Sequence, residues 1–158
     1  MENIESTNLP LRGQGGFFQT QAQIETLVAQ FMDKSLPLEA WTHEAHLAMG
    51  VWFLRQYTLT ESMLLVRQHI ISYNLAAGGS IGFEKGYHET LTWFWLKTVD
   101  AFLERFGRKK ALLETCNAFL ESEFAQRDRA LLFYKREEVF SLEARAFLLI
   151  PTNTFLDF

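Results

Sequence analysis

The sequence has almost no cysteine and fewer basic than acidic residues, and these two shortages exclude several classes of protein. Cys116 is the only cysteine, so neither an intramolecular disulfide nor a thiolate metal cluster can form. Because it lies in an apolar helical pattern, we predict that it is a small core residue. The 15 lysines and arginines are outnumbered by 19 aspartates and glutamates. No basic stripe is available to replace phosphate counterions, so we expect no nucleic-acid partner.

Long apolar runs are also missing. The apolar stretch around Trp52 is too short and too interrupted to cross a bilayer, so we expect no membrane partner. The first residues, M-E-N-I-E-S-T-N-L-P, are polar and acidic and lack the basic and apolar regions of a secretory signal. We therefore predict a cytoplasmic protein.

Apolar residues, by contrast, are plentiful and recur at helical spacing. They make up 48% of the 158 residues, enough for one domain with a real core. We predict an all-α, single-domain bundle of five to six helices at 17–150, between a flexible N-terminal arm at 1–16 and a C-terminal tail at 151–158. The expected helices are one before Leu36, then 42–57, one capped by Thr60 that ends before Gly78, then 87–106, 109–124, and 142–149 capped by Ser141; the segment 127–134 is an optional short helix.

Two histidines, His43 and His46, open the second predicted helix within W-T-H-E-A-H-L. Helical phase turns both toward the apolar side, and Gly50 lies one turn beyond them, where it leaves space. His88 takes an equivalent inward position at the start of the fourth predicted helix. The positive end of a helix dipole disfavours imidazolium, so we expect all three histidines to lean toward the neutral form.

Neutral histidines on two helices can hold a divalent metal with an open coordination site. His43, His46 and His88 are the candidate ligands for zinc, nickel or iron(II). Glu89 or Glu44 would then be the general base for a metal-bound water in a hydrolase-like enzyme. The spacing is not the H-E-x-x-H of metalloproteases, and the Glu-x-x-His pairs of di-iron bundles are missing.

Two other functions fit the same residues. In a binding module without metal, Trp41, Tyr87 and two further tryptophans, Trp93 and Trp95, would wall a pocket for a small-molecule ligand. In a structural or partner-binding protein, the histidines would satisfy helix ends and the aromatic residues would serve the core and an interface, as in a homodimer.

A second polar group lies near the C-terminus. Arg136 and Arg145 can bind an anionic ligand, and Tyr134 can donate a hydrogen bond to one. Alternatively, Arg145 pairs with a carboxylate such as Glu89 in a structural role. The glycine-rich segment 78–86 lacks the Gly-Lys-Ser/Thr of a P-loop, and it is either a flap over a pocket or a plain surface connection.

Taken together, these motifs resemble those of an uncharacterised family of small bacterial all-helical proteins. The matching pieces are W-T-H-E-A-H-L (Trp41–Leu47), G-Y-H-E-T (Gly86–Thr90) and Tyr134-x-Arg136 with Ser141-x-x-Ala144-Arg145. They extend from the second predicted helix to the last. The resemblance implies that these positions are linked, and it implies no particular reaction.

Overall fold

The computed structural model of the chain describes residues 17–78 and 85–151. The predicted arm at 1–16 lies outside the described residues, as do 79–84 of the glycine-rich segment and 152–158 of the predicted tail. Seven α-helices occur in the described ranges. They are α1 (Gln21–Asp33), α2 (His43–Leu54), α3 (Leu59–Ala76), α4 (Glu89–Phe106), α5 (Leu112–Glu121), α6 (Arg136–Val139) and α7 (Leu142–Ala146).

The predicted all-α bundle is confirmed, with no strand in the described part of the chain. The prediction of five to six helices missed the four-residue α6, and the short helix expected at 127–134 is a 3-10 turn at Arg129–Leu132. Within the described ranges, no helix is long and apolar enough to cross a membrane. Cys116 is fully buried, as predicted.

The central element is α2, which packs against α1, α3, α4 and α5. Eight of its twelve residues are buried. Because every side of this helix meets another helix, it is apolar nearly all round instead of carrying one apolar stripe. Beyond its first turn, α2 therefore has no polar side chain, and its residues are nearly all buried.

The C-terminal elements wrap the outer side of α4. Phe94 of α4 forms a second buried cluster with Ala130, Tyr134 and Val139. The Thr90 hydroxyl donates to the Phe147 carbonyl at 2.8 Å and accepts from the Leu149 amide at 3.0 Å. These bonds hold the chain extended after α7, which is why that helix ends at Ala146 and not at the predicted Leu149.

Side-chain caps define several helix starts. Ser141 caps α7 as predicted, since its hydroxyl accepts from the Ala144 amide at 3.1 Å. The predicted cap of the third helix was wrong by two residues: Thr58, not Thr60, caps α3 and forms a reciprocal capping box with Glu61. Thr42 caps α2 through the Ala45 amide, and α4 is capped by the imidazole of His88.

Candidate functional site: a cavity beside the central helix

A cavity of about 460 Å³ lies between α2, α3 and α4. Most of its wall is apolar or aromatic: Trp41, Leu47, Met49, Val66, Ile70, Leu91, Trp95, Leu96 and Val99. The polar side chains on the wall are His43, His46, Asn74, Tyr87, His88 and Thr92. The three histidines predicted to face inward thus line one cavity, although each has a different hydrogen-bond environment.

His46 is held at one ring nitrogen only. Its Nδ1 lies 2.6 Å from the Thr42 carbonyl, which accepts a hydrogen bond, so Nδ1 carries the proton. The ring stacks on Trp41 with centroids 3.6 Å apart. Burial lowers the pKa of His46 to about 4, so the imidazole is neutral at physiological pH. Its Nε2 has no hydrogen-bond partner among the described residues.

His43 is tied to a different part of the chain. Its Nε2 donates to the carbonyl of Ala125 at 2.9 Å, across 82 residues of sequence. The ring also meets Trp95 edge-on, with centroids 5.0 Å apart. Burial lowers the pKa of His43. His43 lines this cavity and also a second, more polar cavity.

His88 uses both of its ring nitrogens within the fold. Nδ1 accepts from the Leu91 amide at 3.1 Å, which caps α4, and Nε2 donates to the Val139 carbonyl at 2.8 Å. The pKa of His88 is lowered, mainly by burial and further by the positive charge of Arg145. The pKa values of all three histidines are thus lowered, as expected from the sequence, and burial is the main cause of each shift.

The predicted three-histidine metal centre does not match this geometry. Among the residues that the structure describes, no group of three or more histidines, cysteines or carboxylates is arranged to hold a metal ion. His88 would have to give up the α4 cap or the Val139 carbonyl to become a ligand. His43, His46 and His88 are therefore wall residues of a cavity whose arrangement does not favour zinc, nickel or iron.

Glu89, a predicted general base, is engaged elsewhere. Arg67 of α3 forms a two-pronged ion pair with its carboxylate, in which Nε donates to Oε2 at 3.0 Å. The Tyr87 hydroxyl donates to the same Oε2 at 2.6 Å. Although burial alone would raise the pKa of Glu89, the hydrogen bonds from Arg67 and Tyr87 lower it overall. Glu89 is not part of the cavity wall; it ties α3 to α4.

Glu44, the other candidate base, faces away from the cavity. It lies 3.7 Å from Arg127 in an exposed ion pair. Both residues line the second cavity, of about 360 Å³, on the opposite side of His43. Neither carboxylate proposed for catalysis therefore reaches the space that the histidines share.

The predicted ligand-binding residues divide into two groups. Trp41 and Tyr87 line the cavity. Tyr134, Arg136 and Arg145 do not.

Each residue of the second group has another contact. The Tyr134 hydroxyl donates to the Leu149 carbonyl at 3.1 Å, and Arg136 lies over the Phe140 ring. Arg145 donates to the carbonyls of Gly86 and Tyr87 at 3.2 and 3.3 Å, so the suggested pairing of Arg145 with Glu89 was wrong.

The sequence reasoning did not name Asn74, one of the polar residues of the cavity wall. Val66, Ile70 and Asn74 are spaced by four residues along α3 and line the cavity together. The Asn74 amide has no hydrogen-bond partner among the described residues. An asparagine that continues an apolar helical stripe was a signal available in the sequence.

Gly50 gives the cavity part of its width. A methyl group at this position would lie 3.5 Å from Leu96 Cδ2 and 3.8 Å from Val99 Cγ2, which are ordinary contact distances. Glycine is therefore not required by a close approach of backbone. A methyl group would fit at this position and would occupy part of the space that the sequence analysis assigned to the glycine.

No protein-family model matches the chain, and neither a curated protein nor a solved structure matches it. The resemblance to a bacterial family stays a prediction from the motifs, as do the cytoplasmic location, the homodimer and the lack of a nucleic-acid partner.

Proposed function

We propose that the protein binds a small, uncharged, largely apolar organic molecule in the cavity beside α2. The observation that carries this proposal is an apolar and aromatic cavity of about 460 Å³ whose wall includes a few polar atoms that have no hydrogen-bond partner among the described residues. Its volume lies within the range of roughly 300 to 1,000 Å³ that is usual for small-molecule sites. Apolar walls with a small number of polar anchors are also typical of such sites.

The absence of charge on the wall supports an uncharged ligand. No lining residue is an aspartate, glutamate, lysine or arginine in the described part of the chain. The pKa values of His43, His46 and His88 are all lowered by burial, so the imidazoles add no charge at neutral pH. An ionic ligand would lose its hydration without gaining a counter-charge, which is costly.

Binding is better supported than hydrolysis. A hydrolase of the kind considered from the sequence needs a metal or a carboxylate base at the cavity. Glu44 and Glu89 have partners outside it, and His46, with a pKa of about 4, is a weak base at neutral pH. A ligand-binding role requires only the walls and the polar anchors.

The test is a fluorescence titration with two dyes that share one ring system. N-phenylnaphthylamine is neutral and brightens in apolar surroundings, whereas anilinonaphthalene sulfonate adds a negative charge to the same rings. We expect saturable binding of the neutral dye and at least roughly tenfold weaker binding of the sulfonate, because its charge would be unpaired.

Two matched variants locate the binding. Leu91→Phe narrows the cavity, and we expect it to weaken binding of the neutral dye. Leu113→Phe makes the same change at a half-buried leucine outside the cavity wall, and we expect it to leave binding unchanged. Failure of the neutral dye to bind, or equal binding by both variants and the wild type, would contradict the proposal.

A further inference from the structure

We infer that His46 selects the ligand of this cavity by accepting a hydrogen bond at Nε2, so that the site takes an aromatic or apolar molecule bearing an O–H or N–H donor. The inference rests on the proposed function and deepens it from an uncharged ligand to a hydrogen-bond donor. Two features of His46 carry the argument: the tautomer set by its contact with Thr42 and the stack that fixes its ring.

The tautomer follows from the chemistry of the partner at Nδ1. The Thr42 carbonyl, at 2.6 Å, has lone pairs and no proton, so the hydrogen of this short bond belongs to His46 Nδ1. In a neutral imidazole that carries its proton on Nδ1, Nε2 has a bare lone pair. Since His46 lines the cavity and Nε2 has no partner among the described residues, this lone pair is an acceptor available to a ligand.

The ring is also held in orientation. Trp41 stacks on it at 3.6 Å, and Trp41 itself stacks on the buried Phe31 at 4.5 Å. A ring flip about the Cβ–Cγ bond would remove Nδ1 from the Thr42 carbonyl and break the hydrogen bond. The acceptor is therefore pre-organised, which reduces the ordering cost of binding a matching donor.

The other two histidines differ from His46 in what their second ring nitrogen can offer. His88 has no unused nitrogen, because Nδ1 accepts from Leu91 and Nε2 donates to Val139. His43 retains Nδ1, but its ring is shared with the second cavity. Asn74 carries both a donor and an acceptor in its amide, so it does not discriminate between a donor and an acceptor on the ligand.

Indole and benzofuran provide a direct test. They have nearly the same shape, but indole has an N–H where benzofuran has a ring oxygen. We expect wild-type protein to bind indole roughly tenfold more tightly than benzofuran. The indole N–H can donate one hydrogen bond to Nε2, whereas the benzofuran oxygen would face Nε2 as a second acceptor. Affinities come from nitrogen–proton NMR titrations of the backbone amides, which need no competing dye.

Two substitutions distinguish the role of the His46 imidazole in binding from the general effect of replacing a histidine with phenylalanine. In His46→Phe, which keeps a ring against Trp41, we expect the preference for indole to disappear while benzofuran binding is retained. The matched control is His69→Phe, because His69 packs between Phe31 and Phe53 and does not line the cavity. This control should keep the full preference.

A measurement on the wild type alone covers the case in which His46→Phe does not fold. Spectra of the imidazole nitrogens should show a protonated Nδ1 and a bare Nε2 in His46, and indole should shift the Nε2 resonance.

Equal affinities for indole and benzofuran would overturn the inference and leave the proposed function standing. The same holds if His46→Phe keeps the preference, or if indole binds without moving the Nε2 resonance. Binding of neither compound at the cavity residues would overturn both.

Discussion

Replacing Gly50 with alanine should stabilise the fold and weaken ligand binding at the same time. An interior helical glycine costs about 1 kcal/mol relative to alanine. The added methyl group meets Leu96 and Val99 at 3.5 and 3.8 Å, so it brings no clash that would cancel this gain. For a chain of this size, about 1 kcal/mol corresponds to a rise of roughly 2–4 °C in melting temperature.

The same substitution at Gly107 should have the opposite effect. Gly107 ends α4 with φ of 113° and ψ of 110°, a backbone conformation that side chains strongly disfavour. Space is again available, since the nearest atom to an added methyl group is Lys110 Cγ at 3.6 Å. We expect Gly107→Ala to cost about 1–3 kcal/mol through backbone strain alone.

Urea denaturation of both variants, combined with titration of N-phenylnaphthylamine, checks the pair of predictions. Gly50→Ala should unfold at higher urea than wild type and bind the dye more weakly, whereas Gly107→Ala should unfold earlier and, while folded, bind it normally. Destabilisation of about 1 kcal/mol or more by Gly50→Ala would refute the reasoning, because it would mean that the glycine is needed for packing.

Three further perturbations test the contacts around the cavity. The pKa of His46 is about 4 in the folded protein, and its ordinary value is 6.5. Between these two pH values the unfolded chain binds a proton at His46 and the folded protein does not. The free energy of unfolding should therefore fall as the pH drops from 6.5 to 4. The urea midpoint should therefore fall more steeply in wild type than in His46→Phe, and equal slopes would contradict the assigned burial. Glu89→Gln should lower the free energy of unfolding by about 1 kcal/mol, because it weakens the ion pair with Arg67. Urea denaturation in low salt measures this change. An unchanged free energy of unfolding would show that the ion pair does not contribute to stability. Thr42→Ala should lower the free energy of unfolding by about 1 kcal/mol, because it removes the side-chain cap on the Ala45 amide. The backbone carbonyl at residue 42 remains and can still accept from His46. A thermal scan should therefore show lower stability, and spectra of the imidazole nitrogens should show an unchanged tautomer.

Much of the candidate site was accessible from local spacing. His43 and His46 lie three residues apart on an apolar helix, and His88 begins another, so helical phase alone directs all three inward. The prediction that they line one space agrees with the cavity. Asn74 was accessible by the same reasoning, because it extends the stripe of Val66 and Ile70.

The hydrogen-bond partners of the histidines could not be predicted from the sequence, because two of them come from distant parts of the chain. Ala125 is 82 residues from His43, and Val139 is 51 residues from His88. A carbonyl has no signature in the sequence that marks it as an acceptor for a particular ring. Spacing alone therefore cannot tell a metal ligand from a histidine such as His88, whose two ring nitrogens both have partners within the fold.

The amino-acid sequence by itself determined the helical class, the Ser141 cap of the last helix and the positions that turn toward the interior. These properties depend on neighbours within a few residues, where helical geometry is regular. Only the tertiary structure decided that Glu89 pairs with Arg67 and that, among the described residues, His46 has a partner at Nδ1 and none at Nε2. The hydrogen-bond partners and burial of a side chain depend on which helices meet, and that is a property of the whole fold.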